Sequence, residues 1–270
     1  MALDVIAQNG LVLLGCGKMG SALLAGWLKA GIPASAVWVI EPQPSDWLRA
    51  AGVHLNAGVP SSPAVAVLAV KPQMMGDALP ALQALGNGET LLLSIAAGTS
   101  LATFERVLGA STPLVRAMPN TPAMVGRGIT GLCANAHASA AHITLATSLM
   151  AAVGQVVALE GEHQMDAVTA VSGSGPAYVF YLIEALAQAG VAQGLAPEIA
   201  MQLARATICG AGELAHRADE PAAQLRVNVT SPGGTTAAAL AHLMDAQTGL
   251  APLMTRAVAA AAARGKELGQ

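Results

Sequence analysis

The segment Leu11-Val12-Leu13-Leu14-Gly15-Cys16-Gly17-Lys18-Met19-Gly20 decides the fold. Four apolar residues of strand length run into a Gly-x-Gly-x-x-Gly turn, and an alanine- and leucine-rich helical pattern follows over residues 21–29. Gly15 permits a tight turn, Gly17 leaves the backbone open to a pyrophosphate, and Gly20 lets the helix pack closely on the strand. Cys16, Lys18 and Met19 fill the positions between them. The helix N-terminus behind the turn offers unpaired N–H groups and the positive end of its dipole to phosphate oxygens. The segment therefore reads as a dinucleotide-binding turn; the plainer alternative is an ordinary glycine-rich β–α connection.

Outward from this turn, apolar runs of strand length at 37–40, 64–70 and 90–95 alternate with helical patterns at 45–51, 74–85 and 101–108. Such alternation implies a parallel sheet with crossover helices on both faces. Residues 116–128 hold repeated Gly/Pro-type breaks and read as a loop, while 129–134 and 155–158 could extend the sheet. After about residue 160 the strand signals stop. Pro176 opens a helix ending near Gly190, and Pro197 opens another that runs to about Arg217. A third starts near Thr235 and a fourth covers 250–268. The expected architecture is an α/β Rossmann domain over 1–160 followed by an all-α domain over 161–270.

Composition narrows the function classes. At roughly 150 residues per domain, 270 residues suit two domains. A formal net charge of −3 gives no basic face for nucleic acid. With 54% apolar and only 11% charged residues, a membrane reading has to be tested. The best candidate spans fail, because the run at 178–183 stops at Glu184 and the run from Ile199 carries Arg205 and Glu213. The oiliness is instead expected to be buried between subunits of a homo-oligomer. Leu13-Leu14-Gly15-Cys16 looks like a lipoprotein cleavage site, but the only charge ahead of it is Asp4, so export is not expected. Three widely spaced cysteines, Cys16, Cys133 and Cys209, suggest neither a disulfide framework nor a zinc site, and they fit a reducing cytoplasm. Among six histidines, His137 and His142 are five apart, the wrong spacing for a metal pair on one helix face; they read as surface residues and no metal is expected.

Glu41 ends the second predicted strand, twenty-one residues after Gly20. A carboxylate there typically holds the ribose hydroxyls of NAD and repels the 2′-phosphate of NADP. No arginine follows at once, although Ser45 or Arg49 could meet a phosphate. Ligands of such sheets bind outside the carboxyl ends of the strands. Those ends are Ala69-Val70-Lys71-Pro72 and Ile95-Ala96-Ala97-Gly98, whose small residues would let the backbone line a nicotinamide. Lys71 is one of only four lysines, and it reads as a cofactor-contacting or capping residue rather than an acid.

In the helical half, Asn228-Val229-Thr230-Ser231-Pro232-Gly233-Gly234-Thr235-Thr236 precedes a helix and combines four hydroxyls, two glycines and fresh helical N–H groups. Such a segment makes a natural carboxylate pocket, whereas a capping turn needs only one hydroxyl. Ser172-Gly173-Ser174-Gly175-Pro176-Ala177-Tyr178 is a second helix entry of similar make-up. It either shapes the pocket or lets helices pack closely.

These segments carry a resemblance. The run from Ala170 to Phe180, the run from Val229 to Thr236, Val115-Arg116-Ala117-Met118-Pro119-Asn120-Thr121-Pro122 and Ala69-Val70-Lys71-Pro72-Gln73 together resemble the pyrroline-5-carboxylate reductases, in the right order along the whole chain. The resemblance implies a Rossmann domain and a helical domain that intertwines with its twin in a homodimer, with rings of dimers as a larger form. It also implies reduction of 1-pyrroline-5-carboxylate to proline with NADPH or NADH. By the same resemblance, Ser231, Gly233, Gly234, Thr235 and Thr236 belong to the substrate pocket, with Asn228 and Glu162 near the product. Asn56 matches a cofactor-ribose contact, and Ala69, Val70, Lys71, Pro72, Ala96 and Ala97 match the nicotinamide shelf. One departure stands out: the family's turn after the second strand is small or basic, whereas this chain reads Ile40-Glu41-Pro42-Gln43-Pro44-Ser45. Glu41 pulls toward NADH and the family toward NADPH.

The expected chemistry is hydride transfer to the C=N carbon, with the Thr236 hydroxyl bonding or relaying a proton to the nitrogen. A 3-hydroxyacid dehydrogenase is the enzyme alternative, but it resembles enzymes that use a lysine of the helical domain, and after Lys71 only Lys266 remains. A dinucleotide-binding regulator without turnover is the alternative from another class.

Overall fold

The structure, a computed structural model, describes residues 3–269. The chain divides into two compact units. One runs to Gly173 and takes in the chain again from Ala262, and the other is Ser174–Ala261.

The first unit is built on one eight-stranded sheet of order β3-β2-β1-β4-β5-β6-β7-β8. Its strands are β1 (Leu11–Leu14), β2 (Val37–Ile40), β3 (His54–Leu55), β4 (Val65–Leu68), β5 (Leu91–Ser94), β6 (Leu114–Met118), β7 (Gly128–Ala134) and β8 (Gly154–Ala158). Strands β1 to β6 run parallel, β7 is antiparallel to β6, and β8 is parallel to β7. The order 3-2-1-4-5-6 is that of a doubly wound dinucleotide-binding sheet, and its direction of winding reverses between β1 and β4. The central strands β1, β4 and β5 are fully buried. Leu11, Leu13, Val65 and Val67 face one core, with Leu23, Leu24 and Trp27 of α2 (Lys18–Lys29; the short α1, Asp4–Asn9, precedes β1). Val12, Leu14, Ala66 and Leu68 face the other, with Leu82 and Phe104. Burial on both faces is why these strands read as unbroken apolar runs rather than alternating ones. The Trp27 indole N–H donates to the Leu149 carbonyl at 2.9 Å, tying α2 to the helix at Ala140–Ala151.

Several elements differ from the expectation. Helix α2 begins at Lys18, directly on Gly17, rather than at 21. After α3 (Asp46–Ala50), capped by Ser45, the stretch expected as one helix over 74–85 is broken. It holds a 3-10 turn at Pro72–Met74, a single α turn α4 (Met75–Ala78) and a 3-10 segment at Leu79–Leu85. Pro80 explains the break, since it has no N–H to donate to the carbonyl four residues back. Beyond α5 (Leu101–Leu108), the expected loop over 116–128 is corrected at both ends: Leu114–Met118 is β6, and β7 starts at Gly128. The glycine and proline breaks begin only at Pro119, and the 3-10 turn Thr121–Val125 fills the remainder. Helix α6 (Ala140–Ala151) is capped by Ser139 and His142 acting reciprocally. His142 is half-buried at the surface, and its Nε2 also lies 3.2 Å from the Glu89 carbonyl.

After α7 (Met165–Val168) and a π-helical turn at Thr169–Gly173, the second unit carries α8 (Gly175–Ala192), α9 (Pro197–Arg217), α10 (Ala222–Asn228) and α11 (Thr235–Leu243); α12 (Leu250–Leu268) is shared between the two ranges. Helices α8 and α9 pack through Ala187, Ala200 and Ala204. Its larger apolar side chains, among them Phe180, Tyr181, Leu203, Leu214 and Leu253, stay exposed. Among the described residues no helix is long and apolar enough to cross a membrane.

Candidate active site

The winding reversal brings the glycine turn against the end of β4. The Ala69 N–H donates to the Leu14 carbonyl at 2.8 Å, and a Cβ on Gly15 would meet the Ala69 carbonyl oxygen at 2.9 Å. Gly15 also sits at φ +90°, which a side chain would strain. A Cβ on Gly20 would lie 2.6 Å from the Gly15 carbonyl oxygen, so helix and turn touch directly there. At Gly17 a Cβ would meet nothing within 4 Å. Packing thus accounts for two of the glycines, and at the third the backbone lies open. Helix α2 has no side-chain cap on its first N–H groups. This arrangement fits a pyrophosphate held by Gly15, Cys16, Gly17, Lys18, Met19 and Gly20. Beside it, the Ile95 N–H donates to the Leu68 carbonyl at 3.0 Å, so Ala96 and Ala97 leave the sheet next to Ala69, Val70 and Lys71. The side chain of Pro72 lies outside the described residues.

Glu41 is held from several directions. Its carboxylate accepts the Cys16 N–H at 2.7 Å through Oε2 and the Gln43 N–H at 2.9 Å through Oε1. The Asn56 amide brackets its backbone, accepting the Glu41 N–H at 2.9 Å and donating to its carbonyl at 3.0 Å. Asn56 adopts φ +52°, a conformation that asparagine tolerates better than most residues. The negative charge is therefore fixed beside the second residue of the glycine turn. Ser45 is engaged as the cap of α3, and Arg49 is exposed on that helix.

At the head of α11 the capping alternative can be examined atom by atom. Gly234 occupies the cap position, and no side chain caps the helix. Of the four hydroxyls, only that of Thr230 is engaged, donating to the Arg226 carbonyl at 2.6 Å. The expectation of four converging hydroxyls is reduced to three: among the described residues those of Ser231, Thr235 and Thr236 make no hydrogen bond. Gly233 turns the chain at φ +69°. Asn228, the last residue of α10, accepts from the Gln224 amide at 2.8 Å. In the other helix entry, a Cβ on Gly173 would lie 2.8 Å from Met118 Cε, the mobile end of that side chain.

Glu162 follows β8 in a 3-10 turn. Its Oε1 accepts the Leu101 N–H at 2.8 Å and is ion-paired with Arg116 of β6. The two buried thiols are poor nucleophiles: burial pushes Cys16 up, and it pushes Cys133, opposite Arg116 on β7, up to about 11.

Comparison with known proteins fits this geometry. A family model described as pyrroline-5-carboxylate reductase dimerisation matches residues 162–268, and one described as NADP oxidoreductase, coenzyme F420-dependent, matches 10–98. The pyrroline-5-carboxylate reductase of Pseudomonas aeruginosa is 41% identical over 266 residues, covering 96% of this chain and 97% of that protein. The chain belongs to the pyrroline-5-carboxylate reductase family. The solved pyrroline-5-carboxylate reductase of Coxiella burnetii matches with TM-score 0.90 at 36% identity, over 97% of this chain and 99% of that one. The Plasmodium falciparum pyrroline carboxylate reductase with NADP bound matches with TM-score 0.82 at 31% identity, over 97% and 98%.

Within the family fold, the structure brings the glycine turn, Glu41, Asn56 and the ends of β4 and β5 together in the first unit. Asn228 and the segment from Ser231 to Thr236 form a group in the second unit. The reading from sequence missed the partners of Glu162. The signal was a lone arginine, Arg116, inside the apolar run Leu114-Val115-Arg116-Ala117-Met118.

Proposed function

We propose that this chain reduces 1-pyrroline-5-carboxylate to L-proline and that it prefers NADH to NADPH. The observation that carries the reading is the unengaged hydroxyl trio of Ser231, Thr235 and Thr236 at an uncapped helix start, in a chain whose Gly17 is open to a dinucleotide. The close relatives bear the same activity in their names.

The glycine turn holds the pyrophosphate, Glu41 the adenosine ribose, and Ala69, Val70, Lys71, Pro72, Ala96 and Ala97 the nicotinamide. Asn56 acts by fixing Glu41. When bound, the reduced nicotinamide supplies a hydride to the C=N carbon, and the electron pair of that bond moves onto nitrogen. The chain's own residues orient the acceptor. Ser231, Gly233, Gly234 and Thr235 hold the carboxylate through hydroxyls and N–H groups. Thr236 bonds the ring nitrogen and relays a proton to it, while Asn228 and Glu162 border the ring. Residues 161–270 serve as the substrate and dimerisation domain of a homodimer, because the apolar side chains left uncovered on α8 and α9 need a partner. A ring of such dimers is the larger form of this reading, and the cytoplasm its compartment.

Glu41 supports the NADH preference, since its fixed carboxylate opposes a 2′-phosphate. The test is nicotinamide oxidation by the imine acid with NADH and NADPH side by side, for the wild type and Glu41→Ala. Turnover with proline as product is expected, faster with NADH, and the variant shifts the ratio toward NADPH by about tenfold. Dinucleotide binding without turnover would make the chain a regulator. An NADPH preference in the wild type would overturn the cofactor reading alone.

A further inference from the structure

We propose that Arg116 is a positioning residue that aims Glu162 at the ring nitrogen of the substrate. The inference rests on the proposed activity and adds a residue and a subsite to it.

Arg116 lies in the interior strand β6, opposite Ser94 of β5 and Cys133 of β7, and is buried. A guanidinium there is costly unless paired, and Glu162 is its partner. Arginine–carboxylate pairs frequently engage both carboxylate oxygens with the guanidinium fork. The observed geometry is one-sided. Arg116 Nη1 and the Leu101 N–H both converge on Oε1. Oε2 has no hydrogen-bond partner among the described residues, and the Glu162 side chain keeps 32% exposure while that of Arg116 keeps 9%. One oxygen is anchored by two donors and the other is left available.

The anchor point gives that free oxygen its place. Leu101 opens α5 three residues after Gly98, the last residue of the segment Ile95-Ala96-Ala97-Gly98 that follows the carboxyl end of β5. Ligands of a sheet of this kind bind at that end. The imine of the substrate, once protonated, gives its one N–H to Thr236 and still carries a positive charge. A carboxylate oxygen whose companion is pinned is a matched counter-charge beside that nitrogen, and it costs no reorganisation when the substrate arrives. Arg116 touches neither substrate nor cofactor; it keeps Glu162 from rotating away.

The experiment uses the purified full chain with Arg116→Met, Arg116→Lys, Glu162→Gln and the double variant R116M/E162Q. Three readouts are taken: the KM for 1-pyrroline-5-carboxylate, calorimetric affinity for L-proline without cofactor, and the affinity for NADH. Arg116→Met and Glu162→Gln should each raise the imine KM and weaken proline binding about tenfold, with NADH affinity unchanged. The double variant should be no worse than the worse single one, and Arg116→Lys should recover part of the loss. Wild-type imine KM and proline affinity in a folded Arg116→Met protein overturn the proposal. So do losses that simply multiply in the double variant. Should Arg116→Met fail to fold, Arg116→Lys and its combination with Glu162→Gln decide by the same criteria. Absence of any turnover by the wild type would instead overturn the proposed activity.

Discussion

Thr236 carries the most specific chemical assignment. Its hydroxyl makes no hydrogen bond among the described residues, it stands in the first turn of α11, and it is half-buried. A hydroxyl is too weak an acid to protonate an imine unaided, so its proposed work is to hold the nitrogen and pass on a proton. Thr236→Ala should lower kcat about a hundredfold while NADH still binds with wild-type affinity. Titrating NADH by fluorescence beside a steady-state assay would check both halves, and near-normal turnover would remove Thr236 from the mechanism. Glu41 illustrates a different relation between residue and role. Its position was legible from the end of a strand and the spacing to Gly20. Its anchoring was not, because the Cys16 N–H comes from another strand's turn and the Asn56 amide from a residue fifteen further along.

At the scale of elements, legibility followed burial on both faces. The runs at β1 and β4 stood out because each strand is covered on two sides and carries no polar residue; β2 is apolar throughout though half-covered, and β5 is polar only at its last residue, Ser94. Strand β6 did not, because Arg116 interrupts it and the glycines and prolines just beyond drew the loop reading too far back. The ion pair that permits a charge in that strand comes from Glu162, forty-six residues away, which no local pattern could reveal. Proline was informative in both senses. Pro176 and Pro197 marked true helix starts, whereas Pro80 broke a pattern that periodicity alone favoured. The β1–turn–α2 element makes its own prediction. Gly20→Ala places a methyl 2.6 Å from the Gly15 carbonyl oxygen, so the helix must move off the turn. NADH affinity should fall about tenfold or more, as measured by calorimetry, while proline affinity is preserved. Equal loss of both would indicate unfolding of the unit instead.

The molecule as a whole is two units of unequal self-sufficiency. The first buries its apolar side chains in two layers on either side of a sheet. The second buries three alanines and exposes much of its larger apolar surface. A helical layer of that kind is not expected to persist alone in water. The composition, with 54% apolar residues, agrees with that exposure. Native mass spectrometry should give twice the 26.9 kDa of one chain, or a multiple of that, with little or no monomer. A single-chain mass at micromolar concentration would refute the shared-interface reading.

The central claim is a direct transfer of hydride from a reduced nicotinamide to the imine carbon of a small cyclic acid. The most direct test incubates the chain with 1-pyrroline-5-carboxylate and NADH deuterated at both C4 positions, then examines the product by mass spectrometry. The account predicts L-proline carrying a single deuterium at the former C=N carbon. Proline without deuterium, or no proline while the cofactor stays bound, would contradict it.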